Sequence, residues 1–194
     1  MRVHRIIGAG LLAVALVGCS SGSGKGSSAT TQTPVLAFTS GSRSADKFGV
    51  CILYKVPAIK GLIGGGKYFR MLAPRKIDTQ GGPHTKGIEC RWERLDPNGA
   101  RRSLVVDVTS YAAADPGQID SSWTGLVQSL GVSAPVPGIG DQAVRASGQG
   151  SATVAARKGD FVVVVASQSK GKLKPVPLNA LTLMANAAMQ KVAP

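Results

Sequence analysis

Apolar residues recur along this chain with two different periods, and the switching between them lays out a fold. Ile88 to Leu95 opens with an alternation of apolar and charged residues, so Ile88, Cys90 and Trp92 are expected to face inward and Glu89, Arg91 and Glu93 outward. Asp96-Pro97-Asn98-Gly99 is a turn signal. Leu104, Val106 and Val108 then resume the alternation, and the pair predicts a β-hairpin. Asp115 suits a helix N-cap and Pro116 the first helical position. Ile119, Trp123, Leu126, Val127 and Leu130 follow at helical spacing until Gly131. Three strands are expected next, at Gln142 to Ala146, Ala152 to Arg157 and Phe161 to Ser167. The run Phe161-Val162-Val163-Val164-Val165 carries no polar alternation and reads as a central strand, buried on both faces or nearly so. A terminal helix places Leu181, Met184, Ala185, Ala188, Met189 and Val192 on one face.

The remaining segments pattern less clearly. Pro34 to Phe38 is a short apolar lead-in, and Gly49 to Tyr54 is expected as a brief extended piece carrying Cys51. Pro57 opens a short helix whose face is Ile59, Leu62 and Ile63, and Gly64-Gly65-Gly66 stops it. Residues 64–87, rich in Gly, Pro, Lys and Arg, read as a long, mobile, basic loop with a turn at Gly81-Gly82-Pro83-His84. Pro135 to Gly138 is rigid and extended, and Lys170 to Pro177 is a basic connection. The order β-α-ββ-α-βββ-α predicts an α+β domain. Its antiparallel sheet would have about five strands, with two longer helices and one short helix packed on one face. Trp92, Trp123, Met184 and Met189 fall on the apolar faces as core residues, with the lining of a hydrophobic pocket as the alternative.

The first apolar run is of another kind. Arg2, His4 and Arg5 precede Ile6 to Val17, about a dozen apolar residues where a membrane span needs about 20. This is the pattern of a secretory signal peptide. Its end, Leu16-Val17-Gly18-Cys19, resembles the lipobox of bacterial lipoproteins. The resemblance implies cleavage before Cys19 and acyl chains on that cysteine. Residues 1–18 are then the signal, and residues 19–33 the lipidated cysteine with a Ser/Gly/Thr tether. Residues 34–194 are a single globular domain. Such a tether reaches roughly 20 Å. The expected place is the cell membrane, lipid-anchored on its extracytoplasmic face.

Export changes the reading of the other two cysteines. Cys51 and Cys90 are an even pair in an oxidising compartment and read as one disulfide. A metal site is the alternative, but there is no C-x-x-C spacing and no set of companion histidines.

The formal charge is +13, and it is unevenly placed. Residues 43–102 hold thirteen Lys and Arg against five Asp and Glu, and residues 103–194 hold seven against five. An exported chain does not meet nucleic acid, the usual partner of such a surplus. Phospholipid headgroups and acidic wall polymers are the polyanions it would meet. The candidate contact residues are Lys55, Lys60, Lys67, Arg70, Arg75, Lys76, Arg101 and Arg102.

Catalytic motifs fail on inspection. Gly61-x-x-x-x-Gly66-Lys67 approaches a phosphate-binding loop, but Tyr68 stands where Ser or Thr should reach the magnesium ion, and the glycines end a helix instead of opening one. Gly138-Ile139-Gly140-Asp141-Gln142-Ala143 matches a dinucleotide fingerprint, yet a strand is expected to follow it. A triad would have to use His84, which lies in a turn-rich loop, and no G-x-S-x-G elbow exists. Glu89 and Glu93, with Arg91 between them, read as an exposed charge-paired ladder in preference to an acid/base pair. No catalytic residue, metal or cofactor is assigned.

A lipobox and tether, Cys51 before a short helix, a Cys90-Arg91-Trp92 strand, a Pro137-Gly138-Ile139-Gly140-Asp141-Gln142-Ala143 turn, a valine-rich strand and an alanine-rich last helix occur in that order. Together they resemble the small cell-envelope lipoproteins of actinobacteria, in particular a family whose domain has no assigned function. The resemblance spans roughly residues 48–192 and implies pairing of Cys51 with Cys90. The expectation is a non-catalytic binding or accessory module with a basic face for a protein or an anionic envelope partner. A carrier of a hydrophobic, lipid-like ligand is the alternative, and a hydrolase using His84 ranks after it.

Overall fold

The computed structural model describes residues 38–39, 49–64, 66–78, 85–113 and 118–193, which fall within one compact unit of the chain, Thr33–Pro194. The signal segment, Cys19, the tether, His84 and Asp115-Pro116 lie outside the described residues.

The hairpin forms as its alternation requires. β4 (Thr85–Leu95) pairs antiparallel with β5 (Arg102–Ala113), with Cys90 opposite Val108 and Trp92 opposite Val106. Asp96 builds the turn by accepting the Gly99 N–H on its carbonyl at 2.8 Å and the Ala100 N–H on its carboxylate at 2.9 Å. Gly99 sits at φ 71°, where a side chain would be strained. β5 pairs next with β9 (Phe161–Ser169), β9 with β8 (Ser151–Lys158), and β8 with β7 (Gln142–Gly148). The valine-rich strand is therefore central, as its composition predicts.

Four short strands complete the sheet, so among the described residues it has nine strands, not about five. β6 (Ala134–Pro135) borders β7, and β1 (Phe38–Thr39) borders β3 (Arg75–Asp78). β2 (Phe69–Met71) and β3 both pair with β4, β2 along Trp92 to Arg94 and β3 along Lys86 to Glu89. The expectation of a long basic loop is thus corrected. Residues 66–78 form a 3-10 turn (Gly66–Tyr68) and two short strands paired to β4. No alternation marks them, because what orders them is backbone pairing to an open strand edge. Between β2 and β3 the chain bows away at Leu72–Pro74, held by the Leu72 N–H on the Arg91 carbonyl at 3.0 Å.

The segment expected to be extended at Gly49 to Tyr54 is instead one helical turn, α1 (Val50–Leu53), entered from Gly49 at φ 69°. α2 (Val56–Ile63) ends at Gly64, whose N–H reaches the Lys60 carbonyl at 2.8 Å. α3 (Gln118–Leu130) and α4 (Leu178–Val192) are the two long helices.

The helices do not share one face. α1, α2 and α4 cover the front of the sheet, where Cys90, Trp92, Val106, Val108, Val154, Val163 and Val165 meet Val50, Ile59, Ile63 and the whole predicted stripe of α4. α3 covers the back, packing Ile119 and Trp123 on Ala155 and Val162, with Tyr111, Val144 and Val164 around them. A strand that is apolar at consecutive positions needs cover on both sides, so the Phe161 to Val165 run itself calls for this arrangement. Tyr111 finds room because Gly87 faces it: a Cβ there would overlap the Ser110 carbonyl oxygen and the Tyr111 backbone.

Candidate functional site

The basic segment between Lys55 and Arg102 comes together around the β4 edge, and the structure divides its charges between the two faces. On the back, Glu89 and Glu93 are 3 % and 1 % exposed, which corrects the expectation of an exposed ladder. Alternation alone points them away from the front core, but arginines from four strands close over them. Arg70 and Arg102 both pair with Glu93. Arg91 sits within 3.3 Å of Glu89 and donates to Asp107 at 2.6 and 3.2 Å. Arg75, opposite Glu89 in the β3–β4 register, lies 3.9 Å from it.

Burial pushes the Glu89 carboxyl above its ordinary range, and the neighbouring Arg91 and Arg75 only partly offset this. Its Oε1 is buried without a hydrogen-bond donor. Burial likewise raises Asp107 against the pull of Arg91. A carboxyl whose pKa is raised on folding contributes stability that is fully present below its unfolded pKa and is lost as pH rises through the folded one. The expected result is that the melting temperature falls between pH 5 and pH 7.5. Glu89→Gln should flatten that fall and cost little at pH 7.5. A Glu89→Gln curve parallel to the parent curve would count against this.

On the front the picture differs. Lys55 begins α2, Lys60 lies on α2, Lys67 lies in the 3-10 turn, and Lys76 shares the face of Ile88 on the neighbouring strand. All four are exposed, and none of them enters an ion pair among the described residues. The Lys60 ammonium lies 5.2 Å from the centre of the Phe69 ring and Lys67 5.0 Å from that of Tyr68, a favourable placing of cation over π-face. Arg101 is exposed in the hairpin turn, where its carbonyl holds the Asp96 N–H at 2.7 Å. Of the eight predicted contact residues, the structure therefore sets Arg70, Arg75 and Arg102 against buried carboxylates. It leaves Lys55, Lys60, Lys67, Lys76 and Arg101 outward.

Sequence reasoning missed a feature in the same stretch of chain. Where the chain bows out between β2 and β3, an almost wholly apolar cleft of about 140 Å³ opens, lined by Cys51, Ile52, Met71, Leu72, Pro74, Cys90, Arg91 and Trp92. The Cys51–Cys90 disulfide, with Cα atoms 5.3 Å apart, forms part of its wall. Trp92 packs edge-on against Tyr54, with ring centres 5.6 Å apart, and its indole N–H is buried without an acceptor. Burial keeps the Tyr54 phenol protonated far above its ordinary range, and it donates to the Met184 carbonyl at 2.7 Å. Ile52 and Met71, at the cleft, are 82 % and 52 % exposed. Ile52 and Met71 lie within Gly49–Tyr54 and residues 64–87, the two segments where the structure departs from the sequence expectation, and no periodicity there marks a cleft.

The two glycine motifs behave as turns. Gly61 to Lys67 runs from the end of α2 into the 3-10 turn. Gly138 and Gly140 take φ of 81° and 58° on the way into β7, and Asp141 accepts the Gly159 N–H at 2.8 Å. No helix among the described residues is long and apolar enough to cross a membrane.

No protein-family model and no curated protein matches the chain. Among solved structures it is similar to a GTP binding regulator from Thermotoga maritima, with 10 % sequence identity over 80 % of this chain and 93 % of that one and a TM-score of 0.43. A likeness of that degree carries no argument about activity.

Proposed function

We propose that this chain is a lipid-anchored protein of the extracytoplasmic membrane face that acts without catalysis, as a binding module for an anionic component of the envelope. The observation that carries the reading is the sorting of charge around β4. The buried carboxylates Glu89 and Glu93 draw the arginines to the back of the sheet, while Lys55, Lys60, Lys67 and Lys76 stay outward around the front edge. The lysines of residues 55–76 are therefore left accessible while the arginines of the same stretch are neutralised, and exposed lysines of this kind attract a polyanion. The cleft is smaller than the roughly 300–1,000 Å³ of ordinary ligand sites and would not itself enclose a whole lipid.

Binding of the chain from Ser20 onward, which carries neither the apolar signal nor the lipidated cysteine, tests this. It should bind polyglutamate or anionic vesicles at low salt and release them as salt rises, because screening shortens the range of exposed charges. Replacing Lys55, Lys60 and Lys76 together by Gln should weaken binding on the order of 100-fold, at about 1 kcal/mol per lysine near an anionic surface. Affinity that ignores both salt and these lysines would sink the proposal.

A further inference from the structure

We infer that the apolar cleft beside the disulfide, in the stretch of chain that carries the outward lysines, is a membrane-docking surface, seating on an anionic phospholipid bilayer with Ile52 and Met71 entering the interfacial layer. This rests on the reading above and narrows its anionic partner to a bilayer. Among the described residues the exposed large hydrophobic side chains are Ile52, Leu53, Leu62, Met71, Val132 and Leu183, and the first four fall within residues 52–71. Lys55, Lys60 and Lys67 are interleaved with them, and Lys76 follows on the next strand. Exposed apolar groups among outward lysines match the two layers of an anionic membrane surface, acyl boundary and phosphate. An acidic polymer matches only the charge and leaves Ile52 and Met71 in water.

The geometry of the cleft supports the same occupant. Its walls are a disulfide, Leu72, Pro74 and the Trp92 ring, and its volume suits a few methylenes or one side chain. The tether expected from the sequence, with a reach of roughly 20 Å, would keep the domain near the headgroups. A single weak docking contact then suffices, because the anchor makes it intramolecular.

The experiment is vesicle flotation with the chain from Ser20 onward, which lacks both the apolar signal and the lipidated cysteine and keeps the whole compact unit Thr33–Pro194. The vesicles are phosphatidylglycerol-containing or pure phosphatidylcholine, and polyglutamate is the polymer probe. The parent chain should float with the anionic vesicles only. Ile52→Ser with Met71→Ser should weaken that binding by about tenfold or more, while Val132→Ser, at an exposed apolar position outside the cleft, leaves it unchanged. Matching thermal melts show that the variants are folded. If Ile52→Ser/Met71→Ser binds anionic vesicles like the parent while the lysine variant does not, the apolar insertion is overturned and the electrostatic reading stands. If the parent binds polyglutamate but no vesicle, the partner is a polymer or an acidic protein surface, and the bilayer inference falls. If it binds neither, both fall together.

Discussion

Removing the Cys51–Cys90 bridge with a double Cys→Ala variant should destabilise the domain by about 4 kcal/mol. The two cysteines are 39 residues apart in sequence, and on the chain-entropy account a crosslink of that span restrains the unfolded chain by about this amount. For a domain of this size that is a fall of about 10 °C in melting temperature. The effect should also have a location. α1 is a single helical turn, too short to persist by its own hydrogen bonds. It is held by Val50 in the core and by the bridge to β4. Hydrogen exchange in Val50–Leu53 should therefore accelerate more than in β8 or β9. A loss below 1 kcal/mol, with α1 still protected, would mean that packing alone positions this segment.

The second large effect is expected at Arg91. Its guanidinium links Glu89 and Asp107, and it is the counter-ion common to both. Arg91→Met keeps the aliphatic stem but strands two carboxylates in a poorly solvated place. Breaking a buried pair costs about 3–5 kcal/mol. The lower end, about 3 kcal/mol, is expected here because the Arg91 and Asp107 side chains are 19 % and 18 % exposed. The sign of the pH dependence follows from which form is penalised. Both carboxyls already sit above their ordinary pKa through burial, and losing Arg91 raises them further, so the unfolded chain releases protons that the folded chain retains. The defect should be largest near pH 7.5 and shrink toward pH 5, as measured by denaturant melts at each pH. A defect independent of pH would show that Arg91 acts by packing. Glu93 makes the contrast: its partners Arg70 and Arg102 are half exposed and regain water when it is removed, so Glu93→Gln should cost less than Arg91→Met.

How much of this was legible follows from the kind of signal each element carries. The α4 stripe, the β4–β5 hairpin and the valine-rich central strand were readable because their side chains repeat at the period of the element they form. The strands β1, β2, β3 and β6 were not. They are two to four residues long, and their order comes from hydrogen bonds to a neighbour that the local sequence does not mention. Glu89 and Glu93 illustrate the same limit on the charged side. Alternation correctly turned them away from Trp92, but whether the far face is wet depends on what lies over it. There it is Arg70, Arg75 and Arg102, brought in from other strands.

The sequence by itself determined the α+β class, the two long helices, the hairpin with its Asp96 turn and the pairing of two cysteines. Each rests on local periodicity, turn chemistry or an even thiol count, which act within a short stretch of chain. Only the tertiary structure decided that α3 takes the opposite face from α1, α2 and α4. It also decided that Arg70, Arg75 and Arg102 are drawn back onto buried carboxylates while Lys55, Lys60, Lys67 and Lys76 remain outward, and that an apolar cleft opens beside the disulfide where β2 gives way to β3. These depend on which distant segments share the β4 edge, and on the free energy of burying charge and apolar surface together, a quantity that no single stretch of residues contains.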